Sequence, residues 1–107
     1  MPNIGESILS DRMSNQELRM AMDTNEKRTL KVDARGVLDG ATVSSVAWGA
    51  AGTVTVSSET ESSGVATAMA TANYAGCDHV RATITLSDGR VFTQDFLIGV
   101  GYDYSRW

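Results

Sequence analysis

One histidine and one cysteine occur in the chain, two residues apart at His79 and Cys77. Residues at that spacing share one face of a strand, which makes the pair the first place to look for a thiol nucleophile with an imidazole base. Such chemistry also needs a group that orients the imidazole and donors that hold an oxyanion, and the neighbouring sequence specifies neither. The pair is therefore expected to be a half-buried thiol and a surface imidazole at the start of a strand. Zinc takes three or four protein ligands, more than one Cys and one His supply. The acids organise no better. Glu59 and Glu61 fall in the Ser-rich stretch 57–64, read as a solvated loop, and no segment has the Asp-rich calcium loop with its closing Glu. Gly49-Ala50-Ala51-Gly52-Thr53 has the glycines of a phosphate-cradling loop but lacks its Lys and following helix, so it is expected to be a turn between strands. No catalytic residue, metal ligand or cofactor is assigned, and the chain is expected not to be an enzyme.

The elements available to position any site are bounded by composition. At 107 residues the chain amounts to one domain, and with 42% hydrophobic but only 7% aromatic residues its core must be largely aliphatic. A net charge of -4 argues against nucleic acid as a partner, because phosphate binding needs a dense Lys/Arg field. No apolar run is long enough to span a membrane, and the polar opening from Met1 to Ser10 lacks the apolar stretch of a signal peptide. Cys77 has no second cysteine to pair with, which fits synthesis in a reducing compartment.

Charge and residue type shift near Arg28. Over residues 1–31 the bases Arg12, Arg19, Lys27, Arg28 and Lys31 balance the acids Glu6, Asp11, Glu17, Asp23 and Glu26; the net negative charge lies beyond. The first segment is rich in Met, Asn, Gln and Glu, and the second in Val, Thr, Ser, Ala and Gly. The division expected is an N-terminal docking arm at 1–28, a sandwich at 29–101 and an aromatic tail at 102–107. Within the arm, Ser14-Asn15-Gln16-Glu17 has the spacing of a capping box, with Met13 and Leu18 placed as its hydrophobic staple. A short helix is expected there, ended by Asp23-Thr24-Asn25, with Leu18, Ala21 and Met22 on one face and Met20 beside them. So short a helix needs a surface to lie on, either its own domain or a partner. Deleting 1–28 is accordingly expected to leave a folded sandwich that no longer docks.

From Thr29 onward the apolar period is two. Leu30, Val32 and Ala34 alternate with polar residues, as do Val80, Ala82, Ile84 and Leu86. Further strands are expected at Thr42–Trp48, Thr53–Ser58, Val65–Asn73 and Arg90–Val100, the last with Phe92 and Phe96 as core residues. Ser87-Asp88-Gly89-Arg90 is a hairpin signal, since Asp88-Gly89 accepts the positive φ angles of a type I′ turn. Short strands at this spacing point to an all-β antiparallel sandwich. The tail Gly101-Tyr102-Asp103-Tyr104-Ser105-Arg106-Trp107 carries residue types that dominate interfaces. Met13, Leu18, Met20 and Met22 of the arm, with Tyr102, Tyr104 and Trp107 of the tail, are the expected partner-binding residues.

Two segments carry a resemblance. Leu38-Asp39-Gly40-Ala41-Thr42-Val43-Ser44-Ser45-Val46-Ala47-Trp48 is similar to an L-x-G-D-T-I-x-S-x-x-W pattern, with Ala41 in place of Asp, found in small immunoglobulin-like accessory proteins of tailed bacteriophages, the fibre–tail adaptors. Gly76 to Val100, with Ser87-Asp88-Gly89-Arg90 at its turn, resembles their final hairpin. The resemblance covers about residues 29–100 and implies an Ig-like β-sandwich with Trp48 in its core. It further implies a virion structural protein, made in the bacterial host cytoplasm and present in multiple copies, that couples tail, fibre, portal-proximal or capsid proteins. A capsid-decorating (cement) protein is the alternative, and a small carbohydrate-binding module using Trp48, Tyr102, Tyr104 or Trp107 a remoter one.

Overall fold

Alternating apolar and polar residues build most of the strands, and the inward phase of each supplies the core. In β7 (Gly76–Leu86) the inward residues are Asp78, Val80, Ala82, Ile84 and Leu86, while Cys77, His79 and Arg81 face out. β6 (Val65–Ala72) turns Ala66, Ala68, Ala70 and Ala72 inward. Alanine favours helix in isolation, but here four small side chains leave the space between the sheets to the larger Phe, Met, Leu and Ile around them. The structure, a computed structural model, describes residues 6–8 and 17–101. Met13, the Ser14 end of the proposed capping box, Tyr102, Tyr104 and Trp107 lie outside the described residues.

Two four-stranded sheets pack face to face. One has the order β1-β3-β6-β5, from Glu6–Ile8, Lys27–Asp33, Val65–Ala72 and Val54–Ser62. The other has the order β2-β8-β7-β4, from Leu18–Met22, Val91–Val100, Gly76–Leu86 and Val43–Gly49. Read in chain order, with β2 set aside, the strand order is that of the A-B-E-D and G-F-C sheets of an immunoglobulin constant-type sandwich, from which β1 departs by running parallel to β3. β1 and β2 run parallel to β3 and β8, and every other pair is antiparallel. The core joins Met20, Met22, Leu30, Val32, Val37, Val54, Ile84, Leu86, Phe96, Ile98 and Val100 with Ala66, Ala70 and Ala72 of β6. No helix of the described residues is long and apolar enough to cross a membrane.

The expected helix at Leu18–Met22 is a strand. Leu18, Met20 and Met22 recur every second residue and pair with Phe96, Ile98 and Val100 of β8. Met20 and Met22 are 0% and 2% exposed, so they belong to the core of their own domain and are not a docking face. Leu18 is partly buried against the same core. The boundary drawn after residue 28 is therefore corrected: β3 runs across it from Lys27, and β2 lies within the second sheet. Glu17, expected to cap a helix, instead reaches the exposed His79, with Nε2 to Oε2 at 2.9 Å.

The Ser87–Arg90 hairpin is real but is not a type I′ turn. Gly89 N–H donates to the Leu86 carbonyl at 3.0 Å and Leu86 N–H to the Arg90 carbonyl at 2.8 Å. Gly89 has φ of 93° while Asp88 is not in the left-handed region, the pattern of a type I turn followed by a G1 bulge. A Cβ at Gly89 would meet no atom within 4 Å, so the main cost of substitution is backbone strain. Gly89→Val is expected to lose about 1–2 kcal/mol and Gly89→Asn clearly less, measured by denaturant unfolding.

β3 ends in an ion pair that locks the following 3-10 turn, Arg35–Val37. The Arg35 guanidinium donates from Nε to Asp33 Oδ1 at 3.0 Å and from Nη2 to Oδ2 at 2.7 Å, and the Arg35 backbone N–H adds a bond at 3.0 Å. The guanidinium first, and then that backbone bond, hold the Asp33 carboxyl down from 3.8 to about 2. A carboxyl whose pKa is lower folded than unfolded stabilises the fold above its unfolded value and loses that contribution as pH falls through the folded one. Melting temperatures between about pH 5 and pH 2 should therefore converge for wild type and Asp33→Asn, the wild-type advantage shrinking towards the acid end.

Candidate functional site

β4 and β5 are the edge strands on the same side of the two sheets, and the sandwich opens between them. β5 borders this opening with an interrupted ladder, its pairing with β6 breaking after Ser57 and resuming from Thr60 to Ser62. Its register with β6 shifts between Ser57 and Thr60, with Ser58 at a φ of 52°. A bulge of this kind bends an edge strand and disrupts pairing along it. Beyond the bulge Glu59, Thr60, Glu61 and Ser62 are all exposed. Glu59 and Glu61, expected in a loop, are thus strand residues. The Ser-rich sequence hid this, since a strand exposed on both faces shows no alternation.

The cavity between the edges has a volume of about 290 Å³ and is lined by Val43, Ser44, Ser45, Val46 and Trp48 on one wall and Glu59, Thr60 and Glu61 on the other. Trp48 is partly buried at this rim and packs against the core. Its ring stacks on Phe96, with centroids 6.2 Å apart and planes 14° from parallel. Its Nε1 is buried without a hydrogen-bond partner. An orphaned donor of this sort costs about 1–3 kcal/mol. Glu61 accepts the Gly64 N–H at 2.8 Å. Glu59 makes no hydrogen bond or ion pair among the described residues.

The glycine loop after β4 has an anion, and it is the protein's own. Asp78 is 2% exposed and accepts N–H groups from Ala51 at 2.9 Å, Gly52 at 3.1 Å and Val54 at 2.9 Å. The backbone donors that gave this loop its likeness to a phosphate cradle are spent on an internal carboxylate, so the turn expected there is pinned to β7. Asp78 continues the inward phase of Val80, Ala82, Ile84 and Leu86. A charged residue in that phase signals a buried carboxylate with partners.

Cys77 and His79 are both exposed on the outer face of β7. The groups around them are structural pairs: His79 meets Glu17, and Arg81 donates to Asp95 from Nε at 2.7 Å and from Nη2 at 3.1 Å. The guanidinium of Arg81 holds the Asp95 carboxyl below its ordinary value. Among the described residues no three His, Cys, Asp or Glu side chains come together as a metal site. Ile84, Leu86 and Phe96 are fully buried, and Phe92 is partly buried beneath Arg90, whose guanidinium carbon lies 6.0 Å from the ring centre.

The segments Leu38–Trp48 and Gly76–Val100 meet at one end of the second sheet. Arg90 Nη2 donates to the Leu38 carbonyl at 2.7 Å, across 52 positions of sequence. Thr42 N–H donates to Ser87 Oγ at 3.0 Å, and Ser87 N–H returns a bond to the Thr42 carbonyl at 2.7 Å. Arg90 also holds Asp88, through Nε to Oδ2 at 2.8 Å. The two motifs thus form a single clasp joining the start of β4 to the β7–β8 hairpin.

No known protein family matches the chain, and no curated protein does. Among solved structures, the solution structure of amebosin aligns over 94% of this chain and 99% of its own at 14% identity, with a TM-score of 0.38. A likeness that slight carries no argument about role.

Proposed function

We propose that the chain is a non-enzymatic structural component of a bacteriophage particle, an Ig-like adaptor that couples tail and fibres or neighbouring particle components. The observation that carries this reading is the clasp. Leu38–Trp48 and Gly76–Val100, the segments that resemble fibre–tail adaptors, are neighbours in one sheet, and their motif residues Leu38, Thr42, Ser87 and Arg90 bond to one another. A rigid sandwich clasped at one end suits a part that bears load between other proteins. Weak single contacts suffice for such a part when many copies sit on a symmetric particle. On this reading the protein is made in the host cytoplasm and resides in the virion, with other virion proteins as its partners. Docking by Met20 and Met22 is no part of the proposal, since both are core residues.

Antibody-gold labelling of negatively stained particles tests the assignment. Gold at the tail or its fibre junction is the expected result. Gold over the head lattice would replace the adaptor by a capsid-decorating protein, and particles without gold would overturn both.

A further inference from the structure

We propose that the opening between β4 and β5 is a docking groove for an extended, lysine- or arginine-bearing segment of a partner protein, which adds to β4 as a further strand. This goes beyond the particle reading and does not depend on it. β4 pairs with β7 on one side only, so among the described residues the N–H and C=O groups on its other side have no strand partner. Unpaired edges of this kind are where extended peptides add, main-chain bonds giving affinity and pockets for alternate side chains giving choice. The cavity follows this edge, because Val43, Ser44, Ser45, Val46 and Trp48 all line it. At about 290 Å³ it falls just under the range of small-molecule sites and suits a single inserted side chain.

Charge selects the occupant. The facing wall presents Glu59 and Glu61, and no base is among the described lining residues. The guanidiniums of Arg35 and Arg90 are already engaged, Arg35 with Asp33 and Arg90 with Asp88 and the Leu38 carbonyl. A lysine or arginine entering the groove would therefore meet carboxylates on one side and the ring of Trp48 on the other, a setting that favours a cation. A second copy of this chain fits less well, since pairing β4 with β4 sets one acidic wall against another.

The test is an NMR titration of the full chain with two capped heptapeptides, one alternating Lys and Val and the other Glu and Val. The Trp48 indole resonance is identified with Trp48→Phe and by through-bond assignment. The Lys–Val peptide should move that resonance and the amides of Val43 to Gly49 saturably, and the Glu–Val peptide should not. Glu59→Lys, at a residue that makes no hydrogen bond or ion pair among the described residues, should weaken the Lys–Val peptide about twofold to fivefold. The proposal is overturned if neither peptide moves β4, if both move it equally, or if shifts scatter over the acidic surface without saturating. It is equally overturned if β4 resonances move with protein concentration alone, which would make the occupant a second copy.

Discussion

Removing residues 1–28 should unfold the domain. The deletion takes β2 from the edge of its sheet, and with it Met20 and Met22, at 0% and 2% exposure. Burying a Met side chain contributes about 1.5–3 kcal/mol, so the two together account for about 3–6 kcal/mol. The loss does not stop there, because Phe96, Ile98 and Val100 of β8, each 0% exposed, lose their strand neighbour. It also removes Lys27 and Arg28, which begin the pairing of β3 with β6. A domain of this size has about 5–15 kcal/mol in total. Circular dichroism of the truncated chain should therefore show no cooperative melt at the wild-type temperature. A sharp, unshifted transition would mean that β2 is not part of the core.

Asp78→Ala is expected to be strongly damaging. It strips the acceptor from three backbone N–H groups, of which that of Val54 is buried and those of Ala51 and Gly52 part-buried. Each donor left buried and unpaired costs about 1–3 kcal/mol, and partial access to water softens the cost at the outer two, so a total of about 3 kcal/mol follows. Asp78→Asn should recover only part of it, because its amide NH₂ would face donors. Amide exchange gives a local readout. Ala51, Gly52 and Val54 should exchange much faster in either variant, while amides at the β7–β8 turn, at the other end of the strand, should change little once the global loss is allowed for.

Where side chains alternate between core and water, the strands are legible in the sequence. Val80 to Leu86 and Leu30 to Ala34 show this phase directly. Leu18-Arg19-Met20-Ala21-Met22 fits two periods at once: Leu18, Ala21 and Met22 make a helical face, and Leu18, Met20 and Met22 a strand face. The capping-box spacing favoured the helix. The choice is made by β8, a partner about eighty residues away that offers a free edge and a buried face. β5 was cut short for the opposite reason, as exposed residues on both sides leave no pattern to read. The groove was illegible because its walls come from two strands that are not paired and are brought together only by the packing of the sheets. Trp48 stood out by type, but nothing in the order of residues placed Glu59 and Glu61 across from it.

The particle role is tested most directly by sedimentation. Particles purified from the culture that makes the chain, washed in high salt, are banded on a density gradient and each fraction is quantified by mass spectrometry. The chain should follow the particle band at a constant ratio to its other structural proteins, surviving the wash. Recovery only at the top of the gradient, among free soluble proteins, would contradict a structural place in the virion.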